Sequence, residues 1–263
     1  MIHGIRTQST PSAPAGMAAA EWETRCELAA LYRVMALYGW DDLISNHITA
    51  RVRGEANALL INPFGLLFEE VTASNLVKID AAGRVLDGSS SAVNPAGLII
   101  HSCVHEGRPD VECVIHLHTR DGTGVASQKD GLLPLTQHAL VIWSQIAYHE
   151  FEGPVLDTAE QARLLAHLGR RNLLILRNHG TLAVGRTIGE AFASMYRLER
   201  ACRVQLAAQS GGVALSALPP DVIQASVQAG ERIFDPAGFM PSGQLEWAAM
   251  VRKLDRLDAS FRI

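Results

Sequence analysis

The 263-residue chain carries no basic excess: 23 Lys and Arg stand against 27 Asp and Glu, for a net charge of -4 and a pI near 6.2. Nothing in that balance suits it to track a nucleic-acid backbone. Charges of both signs are mixed, with no long run of either. The longest apolar stretches fall far short of the roughly 20 residues that span a bilayer. Met1 to Gly16 lacks the apolar segment of a signal peptide. No internal repeat appears, which argues against a solenoid. No Gly-rich phosphate fingerprint follows a strand, which argues against a nucleotide-binding Rossmann unit. Cysteine is scarce: Cys26, Cys103, Cys113 and Cys202 are scattered and form no C-x-x-C pair. They read as reduced, mostly buried thiols rather than a disulfide framework. A cytoplasmic protein with no nucleic-acid or membrane partner is expected.

What is present is a core-building composition, 48% hydrophobic over 263 residues, enough for one large domain or a domain plus a tail. Residues 6–16 are rich in Pro, Ser, Ala and Gly, so residues 1–16 are expected to form a disordered leader. Helical spacing of Leu28, Leu31, Tyr32, Met35 and Leu37 runs up to Gly39. Strands are expected at Ile48–Val52, Ala58–Ile61 and Leu76–Ile79, and a turn with a short strand in the run from Ala81. Asn94 and Pro95 open a helix that reaches about Glu106. Val111–His118 reads as a strand and Gly122–Gln128 as a short helix. Thr158-Ala-Glu-Gln161 is a capping-box pattern that opens a helix to about Leu168. Asn172–Leu176 and Thr181–Val184 read as strands. A second capping box at Thr187-Ile-Gly-Glu190 opens a long helix with Ile188, Ala191, Met195, Leu198, Cys202 and Leu206 on one face. Tyr148-His149-Glu150 reads as a polar turn. Residues 212–263 form a helical tail, with patterns near Asp221–Ile233 and Gly243–Leu257. Trp247 and Phe261 would leave that tail too apolar to stand alone, so it is expected to pack on the domain or on a neighbouring subunit.

The segment Cys113-Val-Ile-His116-Leu-His118-Thr119 carries the sharpest chemical signal. Alternate side chains on a strand point the same way, so His116 and His118 share a face. Two imidazoles so placed can bind one ion, and neutral imidazole suits zinc, with manganese or iron also possible. A third ligand is available from Arg177-Asn178-His179-Gly180, where the glycine permits a tight turn that can aim His179 toward a cleft. Three protein ligands with an open position is a catalytic pattern rather than a closed structural one. A rival pair stays open on pattern alone: His101 and His105 lie four apart on the helix after Pro95.

Six segments, LYRVMALYGWDDLISNHITAR, INPFGLLFEEVTASNLVKID, VNPAGLIIHSCVHEGRPDVECVIHLHT, GLLPLTQHAL, AYHEFEG and ILRNHGTLAVGRTIGEAF, together resemble the class II aldolase/adducin family, and within it the adducin-like bacterial branch. The resemblance covers about Ala19 to Gly211. It implies an α/β fold over residues 17–211: a three-layer α/β/α sandwich around a mostly antiparallel central sheet, assembled as a homotetramer. It also implies that His116, His118 and His179 hold the metal, leaving His101 and His105 as a feature of a helix face.

The departures from the family pattern bear on substrate. The family's sugar-phosphate aldolases carry a catalytic glutamate one turn before the histidine matching His101, and Gly97 stands in that place. They hold phosphate with an asparagine, a Thr-Gly pair and a Ser-Ser pair, where this chain has His47, Phe64-Gly65 and Pro95-Ala96. A phosphate dianion needs several charge-assisted donors, so a phosphorylated sugar is not expected. The expected activity is a metal-dependent carbon–carbon lyase, aldolase- or decarboxylase-like, acting on a small unphosphorylated hydroxy- or keto-acid through a metal-stabilised enolate. Without the glutamate, Tyr148 and His149 are the candidate acid–base residues, reaching a site across a subunit boundary. Glu70 and Asn178 are candidate acceptors for the imidazole N–H groups. The alternative is a non-catalytic, adducin-like interaction module.

Overall fold

The computed structural model describes residues 11–153, 158–235, 237 and 242–263. Seven strands form one sheet: β1 (His47–Arg51), β2 (Leu59–Ile61), β3 (Val77–Ile79), β4 (Cys113–Leu117), β5 (Ile146–His149), β6 (Leu173–Leu176) and β7 (Gly180–Gly185). Their order is β3-β2-β1-β4-β7-β6-β5. Every neighbouring pair is antiparallel except β5 and β6. That parallel pair needs a crossover, supplied by α5 (Thr158–Leu168).

The central strands are apolar on both faces, as a sheet covered on both sides requires. One face buries Val114, Leu174, Leu182 and Val184 beneath α2 (Pro95–Gly107) and α5, whose Ile100, Val104, Leu164 and Leu168 fill the layer. The other buries Ile48, Ile115, Ile175 and Ala183 beneath α1 (Ala19–Tyr38), α3 (Arg120–Ala126) and α6 (Ile188–Ser210). The architecture is therefore the expected three-layer sandwich. Helix α1 stops where Gly39 adopts φ 65°, its N–H returning to the carbonyls of Met35 and Ala36, a glycine cap. Helix α6 starts as expected, with Thr187 Oγ1 accepting the N–H of Glu190. The Glu190 carboxylate, however, returns to the N–H and guanidinium of Arg186 rather than to Thr187. All four cysteines are free and buried.

Other expectations are corrected. Tyr148 and His149 belong to β5 and not to a turn. The run from Ala81 contributes only an isolated bridge, Val85 to Ile79. A short helix, α4 (Gln137–Leu140), had no clear pattern in the sequence. The side chain of Thr158 and residues 1–10 of the leader lie outside what is described. From Pro11 the chain lies against α1, with the Pro11 carbonyl accepting from Trp22 Nε1 at 3.0 Å.

The tail forms α7 (Pro220–Glu231) and α8 (Gln244–Leu257). It packs on its own chain: Trp247 stands 5.6 Å from the Phe192 ring, and Phe261 is fully buried in the α1 layer. No helix among the described residues is long and apolar enough to cross a membrane.

Candidate metal centre

The pairing registers bring one end of the sheet together as a site. His47 lies opposite His116 across β1 and β4. β7 begins at Gly180, directly after His179. Asn178 turns the chain there in the left-handed region, φ 55°, a conformation asparagine tolerates better than most residues. Gly180 must be glycine, because a Cβ would stand 2.5 Å from the Leu117 carbonyl oxygen.

These features converge three imidazoles. The Nε2 atoms of His116 and His118 lie 3.0 Å apart, and those of His118 and His179 also 3.0 Å. His116 Nδ1 donates to the Thr181 carbonyl at 3.1 Å, and His118 Nδ1 donates to Asp42 Oδ2 at 3.2 Å. A carbonyl and a carboxylate can only accept, so both rings carry their proton on Nδ1. With both rings in the neutral form that ligates a metal, their Nε2 lone pairs face each other at hydrogen-bond distance. That arrangement is unfavourable by itself and fits a shared cation. Tetrahedral zinc with Zn–N bonds of about 2.0–2.1 Å would set such nitrogens roughly 3.3 Å apart. Burial and the neighbouring rings push His116 well below the usual histidine range. Burial, chiefly, takes His179 down to about 4. His116 and His179 are therefore neutral at pH 7, the form that ligates a metal.

The acceptors that orient the rings are Thr181 and Asp42. Glu70 instead accepts the Leu67 N–H at 2.8 Å, and Asn178 serves as the turn residue. Asn46 adds a hold on β4, its side-chain oxygen accepting the His118 N–H at 3.1 Å. Asp42 and Asn46 lie in Trp-Asp-Asp-Leu-Ile-Ser-Asn, a polar stretch between α1 and β1 whose only sequence signal was its carboxylates.

Tyr148 and His149 are neighbours on β5 and so point to opposite faces of the sheet. Tyr148 lies on the α6 side. Its hydroxyl accepts the Leu132 N–H at 3.1 Å, and its ring lies 4.4 Å beneath the Arg177 guanidinium. His149 lies on the α5 side, where the triad also faces, and with His179 it lines one small cleft. Both its ring nitrogens are engaged, Nδ1 with His167 at 2.8 Å and Nε2 with Glu160 at 3.0 Å.

At Gly97 the structure gives a physical reason for the missing glutamate. A Cβ there would meet Cγ of His47 at 2.8 Å and its Cδ2 at 2.9 Å. The His47 ring occupies the space, held by His101 Nε2 at 2.9 Å. Gly97→Ala should therefore be net destabilising. Overpacking a core typically costs about 1–3 kcal/mol, more than the roughly 1 kcal/mol that Ala gains over Gly in a helix. Adding His47→Asn should recover part of the loss. Urea unfolding of the two single variants and the double would read this, and strictly additive losses would contradict the packing account.

The chain matches the family model of the class II aldolase and adducin N-terminal domain over residues 26–206. A Pseudomonas aeruginosa protein provisionally named a class 2 aldolase is 51% identical over 253 residues, 94% of this chain and 95% of that one. Rat alpha-adducin is 41% identical over 243 residues, 89% of this chain but 33% of the adducin. Among solved structures, an aldolase II superfamily protein from Pseudomonas syringae superposes with a TM-score of 0.89 at 44% identity, covering 94% of this chain and 98% of that one. An L-fuculose 1-phosphate aldolase from Glaciozyma antarctica gives 0.80 at 26% identity, covering 96% and 97%. Fold and sequence agree: this chain belongs to the class II aldolase and adducin family.

Proposed function

We propose that the chain is a divalent-metal-dependent carbon–carbon lyase, aldolase- or decarboxylase-like, acting on a small unphosphorylated hydroxy- or keto-acid. The observation that supports it is the convergence of three histidine donors on one point, with two of the three rings only partly buried. His116, His118 and His179 would hold the ion, zinc by preference for three neutral imidazoles, with manganese or iron also compatible. A bound ion of this kind supplies Lewis-acid stabilisation of negative charge developing on a substrate oxygen. Asp42 and the Thr181 carbonyl fix the rings so that little reorganisation is needed.

The absence of phosphate in the proposed substrate rests on His47 and Phe64. Neither provides the donor nest a dianion requires, and Phe64, three residues past the end of β2, is an apolar ring 43% exposed. Among the acid–base candidates, His149 lies on the triad's face. Tyr148 is on the opposite face of its own sheet, so its participation requires a neighbouring subunit. Leu43, 72% exposed, and Phe151, 53% exposed, are apolar side chains near this end that the proposed homotetramer would cover. Light scattering at micromolar concentration should give a mass well above 28.4 kDa. A monodisperse monomer would remove both the assembly and any shared role of Tyr148.

A second reading, a non-catalytic interaction module, is favoured by the adducin similarity and by glycine at position 97. A panel of hydroxy- and keto-acids assayed on the metal-loaded protein separates the two. Turnover of one of them, abolished by His116→Ala, supports the lyase. A metal-replete protein that turns over none of the panel supports the module.

A further inference from the structure

Behind the triad runs a row of buried polar side chains that the ligand set does not use. His47 Nδ1 lies 2.9 Å from His101 Nε2. His101 Nδ1 lies 2.7 Å from Thr49 Oγ1, and Thr49 Oγ1 lies 2.8 Å from His105 Nε2. His47 and Thr49 are two apart on β1 and face α2, where His101 and His105 are one turn apart, so the row follows from strand and helix periodicity. None of the four is more than 2% exposed. At the inner end the His47 ring lies 5.0 Å from the His116 ring, and no described residue partners its Nε2. At the outer end His105 lines a cavity of ≈ 320 Å³ with Arg51, Asn57 and Glu106. Its Nδ1 is buried without a hydrogen-bond partner among the described residues.

A neutral imidazole has one N–H and one lone pair. With one proton in each of the three contacts, the row has two arrangements. Either all three rings carry hydrogen on Nδ1 and Thr49 donates to His105, or all three carry it on Nε2 and Thr49 donates to His101. A third, with Thr49 accepting from both rings, strands a buried hydroxyl proton, at a cost of about 1–3 kcal/mol. Burial, the leading cause, lowers the pKa of His101 and takes His105 to about 3, so these two rings stay neutral at pH 7. Only the all-Nδ1 sense leaves His47 Nε2 free to accept a proton.

We propose that His47, His101, Thr49 and His105 form a proton relay whose three rings change tautomer together, connecting a substrate held at the triad with the cavity at His105. The proposal rests on the lyase reading. A substrate O–H or C–H proton passes to His47 Nε2, its bonding pair staying on the substrate. The Nδ1 proton of His47 passes to His101 Nε2, that of His101 to Thr49 Oγ1, and the hydroxyl proton to His105 Nε2. The Nδ1 proton of His105 leaves at the cavity end, to a water that must first reach this buried nitrogen. One proton enters, one leaves, and no ring is charged in either end state. This row gives the proton a route that does not need the carboxylate missing at Gly97.

Magic-angle-spinning NMR of ¹⁵N-histidine-labelled, zinc-loaded protein at pH 7 tests it without any substrate, with resonances assigned by single substitutions. The three rings should be neutral and protonated on the same nitrogen, Nδ1. Thr49→Val should shift the ¹⁵N resonances of His105, while leaving His47 and His101 in step, and Thr49→Ser should restore them. A ring out of step in the unaltered protein, a cationic ring, or His105 resonances unmoved by Thr49→Val would overturn the relay. A failed acid panel with the rings in step would sink the lyase reading, and the substrate role of the row with it, while leaving the tautomer coupling itself intact. Rings out of step in a working enzyme would sink the relay alone.

Discussion

Phosphorylated ketoses such as fuculose or rhamnulose phosphate should turn over on the metal-loaded protein at well below about 1 s⁻¹, an ordinary enzyme rate. Two deficits compound. A positioned acid–base group is worth roughly 10²–10⁴-fold in rate, and Gly97 offers no carboxylate. Restoring one is not a simple matter of Gly97→Glu, since its Cβ would collide with the His47 ring at 2.8 Å. Phosphate capture fails as well, because His47 Nδ1 is committed to His101, which leaves at most one ring nitrogen, and Phe64 brings no side-chain donor. Steady-state assays with these ketoses, run beside the acid panel, give the answer. A sugar-phosphate rate of about 1 s⁻¹ or above would mean that some other group moves the proton and holds the phosphate.

The parts of the site that follow strand periodicity were legible in the sequence. His116 and His118 share a face because β4 alternates, and His179 is reached through a turn that Asn178 and Gly180 permit. The helix starts at Pro95 and Thr187 were written locally as caps. What depended on pairing register was not legible. His47 meets His116 only because β1 and β4 pair in one register, and nothing local records that. Asp42 meets His118 through a fold-level approach across 76 residues, while Glu70, the carboxylate chosen from the sequence, caps a local turn. β5 was missed for a related reason. It has four residues, gains its partner only through the α5 crossover, and ends in polar side chains that look like a turn. His101 and His105 were legible as a face of α2, but their partner, Thr49, was visible only once the sheet was assembled.

The largest effect expected of any substitution is loss of the ion itself, because Asp42 and the Thr181 carbonyl aim bare lone pairs of His116 and His118 at one point that His179 Nε2 also reaches. Removing one imidazole leaves two protein ligands, too few for the three-ligand catalytic pattern. His101→Ala should by contrast leave occupancy intact, since His101 contacts His47 and Thr49 and not the converging nitrogens. The most direct measurement is elemental analysis of protein purified without added metal, alongside His116→Ala, His179→Ala and His101→Ala. About one equivalent of divalent metal per chain, probed first for zinc, should be found in the unaltered protein and in His101→Ala, with most of it lost from the other two. Full occupancy in His116→Ala and His179→Ala with an empty His101→Ala would contradict the account and move the site to the α2 histidines.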